Sequence, residues 1–266
     1  MRSIEVSQRM MKSAAAALLA GLALTLPARA ETAACDAPLD LIRLTNPLPH
    51  VAQKITAGEP ITIVAIGSSS TSGAGASSPT ATYPSRLAVE LQEHLPRLSI
   101  NVLNRGVGGE EVVDMLKRFD SAVIAAKPDL VLWQLGTNSV IRDHKLSDHG
   151  ALISAGIAKI RAIGADVVLI DPQYAPKVIA KPEAESMVAL ISTLAKQENV
   201  DLFRRFDVMR HWRDVDHLGF DTFVSADGLH MNDWSYACMA KGLGDAIAEA
   251  AQRPIMSATV GSHIIP

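Results

Sequence analysis

Aromatic residues are scarce, at 4% of 266 residues, so aliphatic and alanine packing must build the core. Basic residues give no excess over acidic ones. Lys and Arg number 25 against 28 Asp and Glu, for a net charge of -3. A nucleic-acid partner would want a basic surface, and none is indicated. Beyond residue 35 there is no repeat and no low-complexity linker. The histidines outside position 230 show no paired ligand spacing with carboxylates, so neither a metal nor another cofactor is expected. Cysteines number only two, Cys35 and Cys238.

The one long apolar run, SAAAALLAGLALTLP, is too short and too alanine-rich for a convincing membrane span. Arg2, Arg9 and Lys12 precede it, and Ala28-Arg29-Ala30 fits a small-residue cleavage site. Residues 1–30 therefore read as a secretory signal, with an uncleaved anchor as the alternative. Their removal takes away four bases and one acid and leaves the mature chain near -6. The expected location is the periplasm or the exterior, with no stable membrane insertion once the signal is cleaved. In such an oxidising compartment an even pair of cysteines invites a disulfide, and two unrelated buried thiols are the alternative.

After the signal, apolar strands alternate with amphipathic segments. Strands are expected at 61–67, 99–106, 129–136, 165–172 and 201–208. Helices are expected at 83–96, 109–127, 147–164, 183–200 and 232–251. Near-continuous apolar strands between helices mean a parallel sheet covered on both faces. One α/β domain over about 36–255 follows. In finer division, 31–58 reads as an N-terminal extension, 59–252 as the main domain and 253–266 as a tail.

In open parallel sheets the ligand sits beyond the carboxyl ends of the strands. Those ends carry four short blocks. ITIVAIG runs into Gly67-Ser68-Ser69-Ser70-Thr71, a turn that can hold a serine out at the sheet edge. Asn104-Arg105-Gly106-Val107-Gly108-Gly109-Glu110 can present backbone N–H groups to an anion. Gly136-Thr137-Asn138 offers an amide donor. Asp227-Gly228-Leu229-His230 puts an acid three residues before a base, the pairing that activates a hydroxyl. Taken singly, each block is as readily a turn, a cap or a chance pair. Together they are more specific, because all four fall where the sheet would present them.

The blocks GSSST, NRGVGGE, GTN and DGLH resemble the four signature blocks of the SGNH hydrolases, also called GDSL-type esterases and lipases. The likeness spans about residues 61–251. It implies a flavodoxin-like three-layer α/β/α sandwich with a parallel sheet of about five strands. It also implies ester hydrolysis through an acyl-serine. Ser69 falls on the nucleophile, Asp227 on the acid and His230 on the base. The oxyanion donors fall on the Ser69 N–H, on Gly109 (with Gly108 as the one-residue slip) and on Asn138. Ser68 and Ser139 stand where the family has aspartates.

Gln173 and Tyr174, on the stiff loop after the fourth strand, are candidate substrate contacts. The alternative is a rigid connector. Arg204, Arg205, Arg210 and Arg213 around Trp212 read as a solvated basic face or as a contact for an anionic polysaccharide. The expected substrate is a small molecule or polysaccharide bearing short acyl groups, such as O-acetylated carbohydrate. Acyl transfer on the same serine, lysophospholipase or thioesterase action, and a non-catalytic glycan-binding module are the alternatives.

Overall fold

The computed structural model describes residue 35 and residues 37–253. The signal segment 1–30 and the tail beyond 253 lie outside the described residues. Five parallel strands form one sheet in the order β2-β1-β3-β4-β5. They are β1 (Ile61–Gly67), β2 (Ile100–Gly106), β3 (Leu130–Gln134), β4 (Asp166–Ile170) and β5 (Asp201–Phe203). Helices lie on both faces, giving the three-layer α/β/α sandwich. Tyr83–His94 packs against Asp233–Gln252, while His149–Ala162 packs between Val112–Lys117 and Ala184–Gln197.

The register lines up the carboxyl ends. Gly67 lies opposite Gly106, Ile66 opposite Trp133, and Gln134 opposite Ile170. β3 is buried along its whole length, which explains its unbroken apolar text up to Gln134. Trp133 is fully buried and tilts against Phe119.

Two elements differ from the sequence expectation. The strand expected at 201–208 stops at Phe203, and Arg205–Asp214 is a helix. Phe206, Met209 and Trp212 are spaced three apart and bury one helical face, so the 3.6-residue period overrides the apolar start. Arg205 is buried with them and donates to the Asp171 carbonyl through Nε and Nη2. Arg210 pairs with Asp207 and Glu185. The stretch is therefore largely packed and paired. The helix expected at 109–127 is also broken, into Val112–Lys117, Phe119–Ala122 and a turn at Ile124–Ala126. It starts late because Glu111 caps it after Gly109, whose φ of 81° leaves the helical region.

The segment read as an extension is packed in from its first described residues. Ile42, Leu44, Leu48 and Val51 are buried in the main core. Aspartates at the amino ends of three strands grip this segment. Asp201 Oδ1 accepts from the Thr45 and Asn46 N–H groups at 2.7 and 2.9 Å. Asp166 Oδ2 accepts from His50 and Val51 N–H, both at 3.0 Å. Asp129 contacts the His50 ring at 3.0 Å and accepts from Thr62 N–H at 2.7 Å. Prolines interrupt the hydrophobic period here, so the sequence hid the packing.

Cys35 and Cys238 are joined in a disulfide across 203 positions of sequence. It fixes the start of the described chain to the closing helix. Replacing both cysteines by serine is expected to lower unfolding free energy by about 2–5 kcal/mol, read by denaturant titration without reductant.

Candidate active site

The turn that carries Ser69 is built from small residues for a steric reason. A Cβ on Gly67 would sit 2.2 Å from Thr71 Oγ1 and 2.8 Å from Gln134 Cβ. Glycine alone lets the Gln134 side chain pass beneath the turn. Its Oε1 accepts from Ser68 N–H at 2.9 Å, from the Ser68 hydroxyl at 3.0 Å and from the Thr71 hydroxyl at 3.3 Å. Ser68, standing where the family aspartate would be, is thus tied down by an amide. Ser69 opens the four-residue helix Ser69–Ser72, half-buried, with its hydroxyl free of the turn's internal bonds.

The Ser69 hydroxyl lies 2.8 Å from His230 Nε2. His230 Nδ1 lies 2.5 Å from Asp227 Oδ2. The other Asp227 oxygen accepts from the Ser225 hydroxyl at 2.7 Å and from Leu229 and His230 N–H at 2.9 Å each. Burial alone pushes the Asp227 carboxyl up. Bonds from the His230 ring, the two N–H groups and Ser225 outweigh it and hold the group well below the usual carboxylate range. Gly75 brings the two loops together. A Cβ there would meet the Met231 carbonyl oxygen at 2.2 Å and His230 Cβ at 3.1 Å.

The second and third blocks flank the serine. A Cβ on Gly108 would lie 3.9 Å from Ser69 Cβ, and one on Gly109 would lie 3.4 Å from Arg142 Nη2. Gly108 is thus the glycine against Ser69, with Gly109 the next residue along. Asn138 Nδ2 donates to the Glu110 carbonyl at 2.8 Å. An amide nitrogen carries two hydrogens, so one remains for a ligand. Ser139, in place of the second family aspartate, donates to Glu111 Oε2 at 2.8 Å. Both departures are thereby braced from elsewhere.

Gln173 does not face a substrate. It is fully buried, its Oε1 accepts from Thr137 at 2.9 Å and its Nε2 donates to the Leu229 carbonyl at 3.2 Å. It links the third block to the His230 loop and so is a brace. Tyr174 is half-buried, edge-on to Phe206 and stacked on Phe220. His50, His94 and His211 pair with carboxylates, and His149 is buried.

Sequence reasoning missed Gln134 and Glu111. A polar residue closing the apolar run LVLWQ was the available signal for Gln134. Glu111 read simply as an acid near a helix start, and nothing local reveals its partners.

The chain matches the model of the non-GDSL lipase-like family over residues 34–253. It belongs to that family. An acetylxylan esterase from Geobacillus stearothermophilus is 30% identical over 94 residues, covering 32% of this chain and 43% of that protein. A two-domain esterase active on acetylated mannans superposes with a TM-score of 0.69 at 17% identity, over 85% of this chain and 60% of the other. A crystal structure of an acetylxylan esterase from Geobacillus stearothermophilus gives a TM-score of 0.60 at 20% identity, over 73% and 95%. At those identities the two structures bear on the fold alone. The non-GDSL lipase-like chain thus covers under two thirds of its curated relative and of the two-domain esterase.

Replacing Gln134 with methionine keeps the volume and removes the acceptor of three donors, of which the Thr71 hydroxyl alone keeps another partner, Tyr83. It is expected to lower stability by about 1–3 kcal/mol, measured by urea denaturation.

Proposed function

We propose that this protein is a serine esterase that removes short acyl groups, acetyl first, from carbohydrate hydroxyls. The observation that carries the reading is the unbroken hydrogen-bonded line from Asp227 through His230 to Ser69. Each link has its proton. Ser69 donates to Nε2, and Nδ1 donates to Asp227, so a neutral imidazole is ready to act as base.

His230 takes the proton as Ser69 Oγ attacks the ester carbonyl carbon. The resulting oxyanion rests on the Ser69 N–H, the free hydrogen of Asn138 and a glycine N–H, by alignment that of Gly109. The tetrahedral intermediate collapses, and His230 returns the proton to the departing sugar oxygen. Water, deprotonated by His230, then cleaves the acyl-serine and releases the carboxylic acid. Asp227, ionised far into acid, holds the ring and stabilises its charged form.

The acetyl preference draws support from the relatives, whose names specify acetylated xylan and mannan. Export draws support from the N-terminal signal pattern. Among the described residues no helix is long and apolar enough to cross a membrane.

A fluorophosphonate is expected to label Ser69, located by peptide mass spectrometry, and to fail with Ser69→Ala and His230→Ala. An unlabelled Ser69 in folded protein would sink the esterase reading. Asn138→Ala is expected to lower kcat on an acetyl ester by about 10²–10³. With acetyl, butyryl and octanoyl esters of one alcohol, kcat/KM is expected to fall along the series. A rise toward octanoyl would instead indicate lipase action.

A further inference from the structure

Asn138 and Arg142 stand one helical turn apart, joined by the bond from Arg142 N–H to the Asn138 carbonyl at 3.0 Å. Four residues along a helix put both side chains on one face. That face meets the second block twice. Asn138 Nδ2 donates to the Glu110 carbonyl, and Arg142 Nη1 donates to Glu111 Oε1 at 2.6 Å. Arg142 Nη2 turns to the glycines, 3.4 Å from where a Cβ on Gly109 would stand. The guanidinium therefore borders the two blocks assigned to the oxyanion.

Glu111 engages one end of this guanidinium only. Its other oxygen lies 2.8 Å from the Ser139 hydroxyl and 3.0 Å from His144 Nδ1. Among the described residues Arg142 Nε and Nη2 have no hydrogen-bond partner. Those two nitrogens form one edge of the planar group and carry parallel N–H bonds that match the two oxygens of a carboxylate. The Arg142 side chain is 45% exposed and the Glu111 side chain 10%. The acid is sunk in the protein and the cation is open to solvent.

A second cation adjoins the His230 loop. Lys177 N–H donates to the Gly228 carbonyl at 3.0 Å, and its Cγ lies 4.0 Å from where a Cβ on Gly228 would stand. Lys177 is exposed, and its ammonium has no partner among the described residues. Its helix, Pro176–Ile179, packs against Thr137–Ile141, which carries Asn138. The acids in and beside the four blocks are placed differently. Arg118 Nε lies 2.8 Å from both Glu110 oxygens, Asp143 pairs with Lys181, and Asp227 is held by His230. Negative charge is thus engaged internally, and the unengaged charged donors beside the blocks are cationic.

We infer that Arg142 is a specificity-determining residue whose Nε–Nη2 edge takes the carboxylate of a uronic acid, on the sugar that bears the ester or on its neighbour. The substrate class is then an acylated acidic glycan, with Lys177 adding positive charge from the other loop. The inference rests on the esterase reading for its chemistry and on the Arg142 edge for its selectivity.

A contact made equally in the ground state and the transition state lowers KM and leaves kcat alone. An Arg142 that merely braces Glu111 acts through the second and third blocks instead, on kcat and on every ester alike.

The test uses the full chain with mono-O-acetyl esters of methyl glucuronoside and methyl glucoside, acetylated at each ring hydroxyl in turn. In the wild type kcat/KM is expected to favour the uronate by about tenfold or more in at least one matched pair, through KM. The preference is expected to shrink with added salt. In Arg142→Gln the uronate-to-neutral ratio is expected to fall close to one. Arg142→Lys keeps the charge and loses the fork, so its ratio is expected to fall between the two, and it carries the test should Arg142→Gln fail to fold. Equal rates on every matched pair in the wild type overturn the inference. So does an Arg142→Gln variant that loses kcat equally on both esters. The hemisuccinyl ester of methyl glucoside moves the carboxylate to the acyl side, and a preference for that ester alone overturns the sugar assignment. If no ester is cleaved and a fluorophosphonate leaves Ser69 unlabelled, the esterase reading has failed by itself. Amide NMR shifts with methyl glucuronoside, read against methyl glucoside, then decide the site. Shifts abolished by Arg142→Gln uphold the carboxylate contact, and their absence in the wild type overturns it.

Discussion

Three hydrogen bonds converge on one amide oxygen, Gln134 Oε1, under the turn that carries Ser69. Gln134 closes β3, whose register with β1 is fixed over Ile63–Ile66. The position of Ser69 is therefore inherited from the sheet. Gly67 must lack a side chain for that reason, and the turn can dispense with the aspartate that Ser68 replaces. A neutral acceptor also places no negative charge beneath the turn, which suits the proposed oxyanion chemistry.

The same division of labour recurs at each strand end. A buried, uncharged or internally neutralised group holds the backbone, and the residue beside it is left for chemistry. Gln134 holds Ser68 and leaves Ser69. Glu111 holds Ser139 and leaves Asn138 with one free hydrogen. Gln173 joins Thr137 to the Leu229 carbonyl and leaves His230 to face the serine. Preorganised donors cost no reorganisation during the reaction, which is where such bracing gains its effect.

Much of this was legible in the sequence because the signals were local. Five apolar runs between amphipathic segments gave the parallel sheet, and the four polar blocks lay at its carboxyl edge. The disulfide partners followed from having two cysteines in a chain whose start reads as a secretory signal. What stayed hidden was non-local. Arg205 looked solvent-facing because its charge outweighs its neighbours in any linear reading, yet the spacing of Phe206, Met209 and Trp212 turns it inward. The fragment 35–58 seemed peripheral, since its prolines break periodicity, and the three aspartates that hold it come from 129, 166 and 201. Gln173 read as a substrate contact because its burial is set by Thr137 and Leu229, both remote in sequence.

The disulfide joins Cys35, at the start of the described chain, to Cys238 in the closing helix, 203 positions apart in sequence. All five strands fall inside that span. The folded chain is thus a covalent ring in which every strand is an arc. A single peptide bond cut in any exposed loop of the ring opens the circle and releases nothing. One nick yields a rearranged order of ends with the same sheet, and only a second cut can free a fragment.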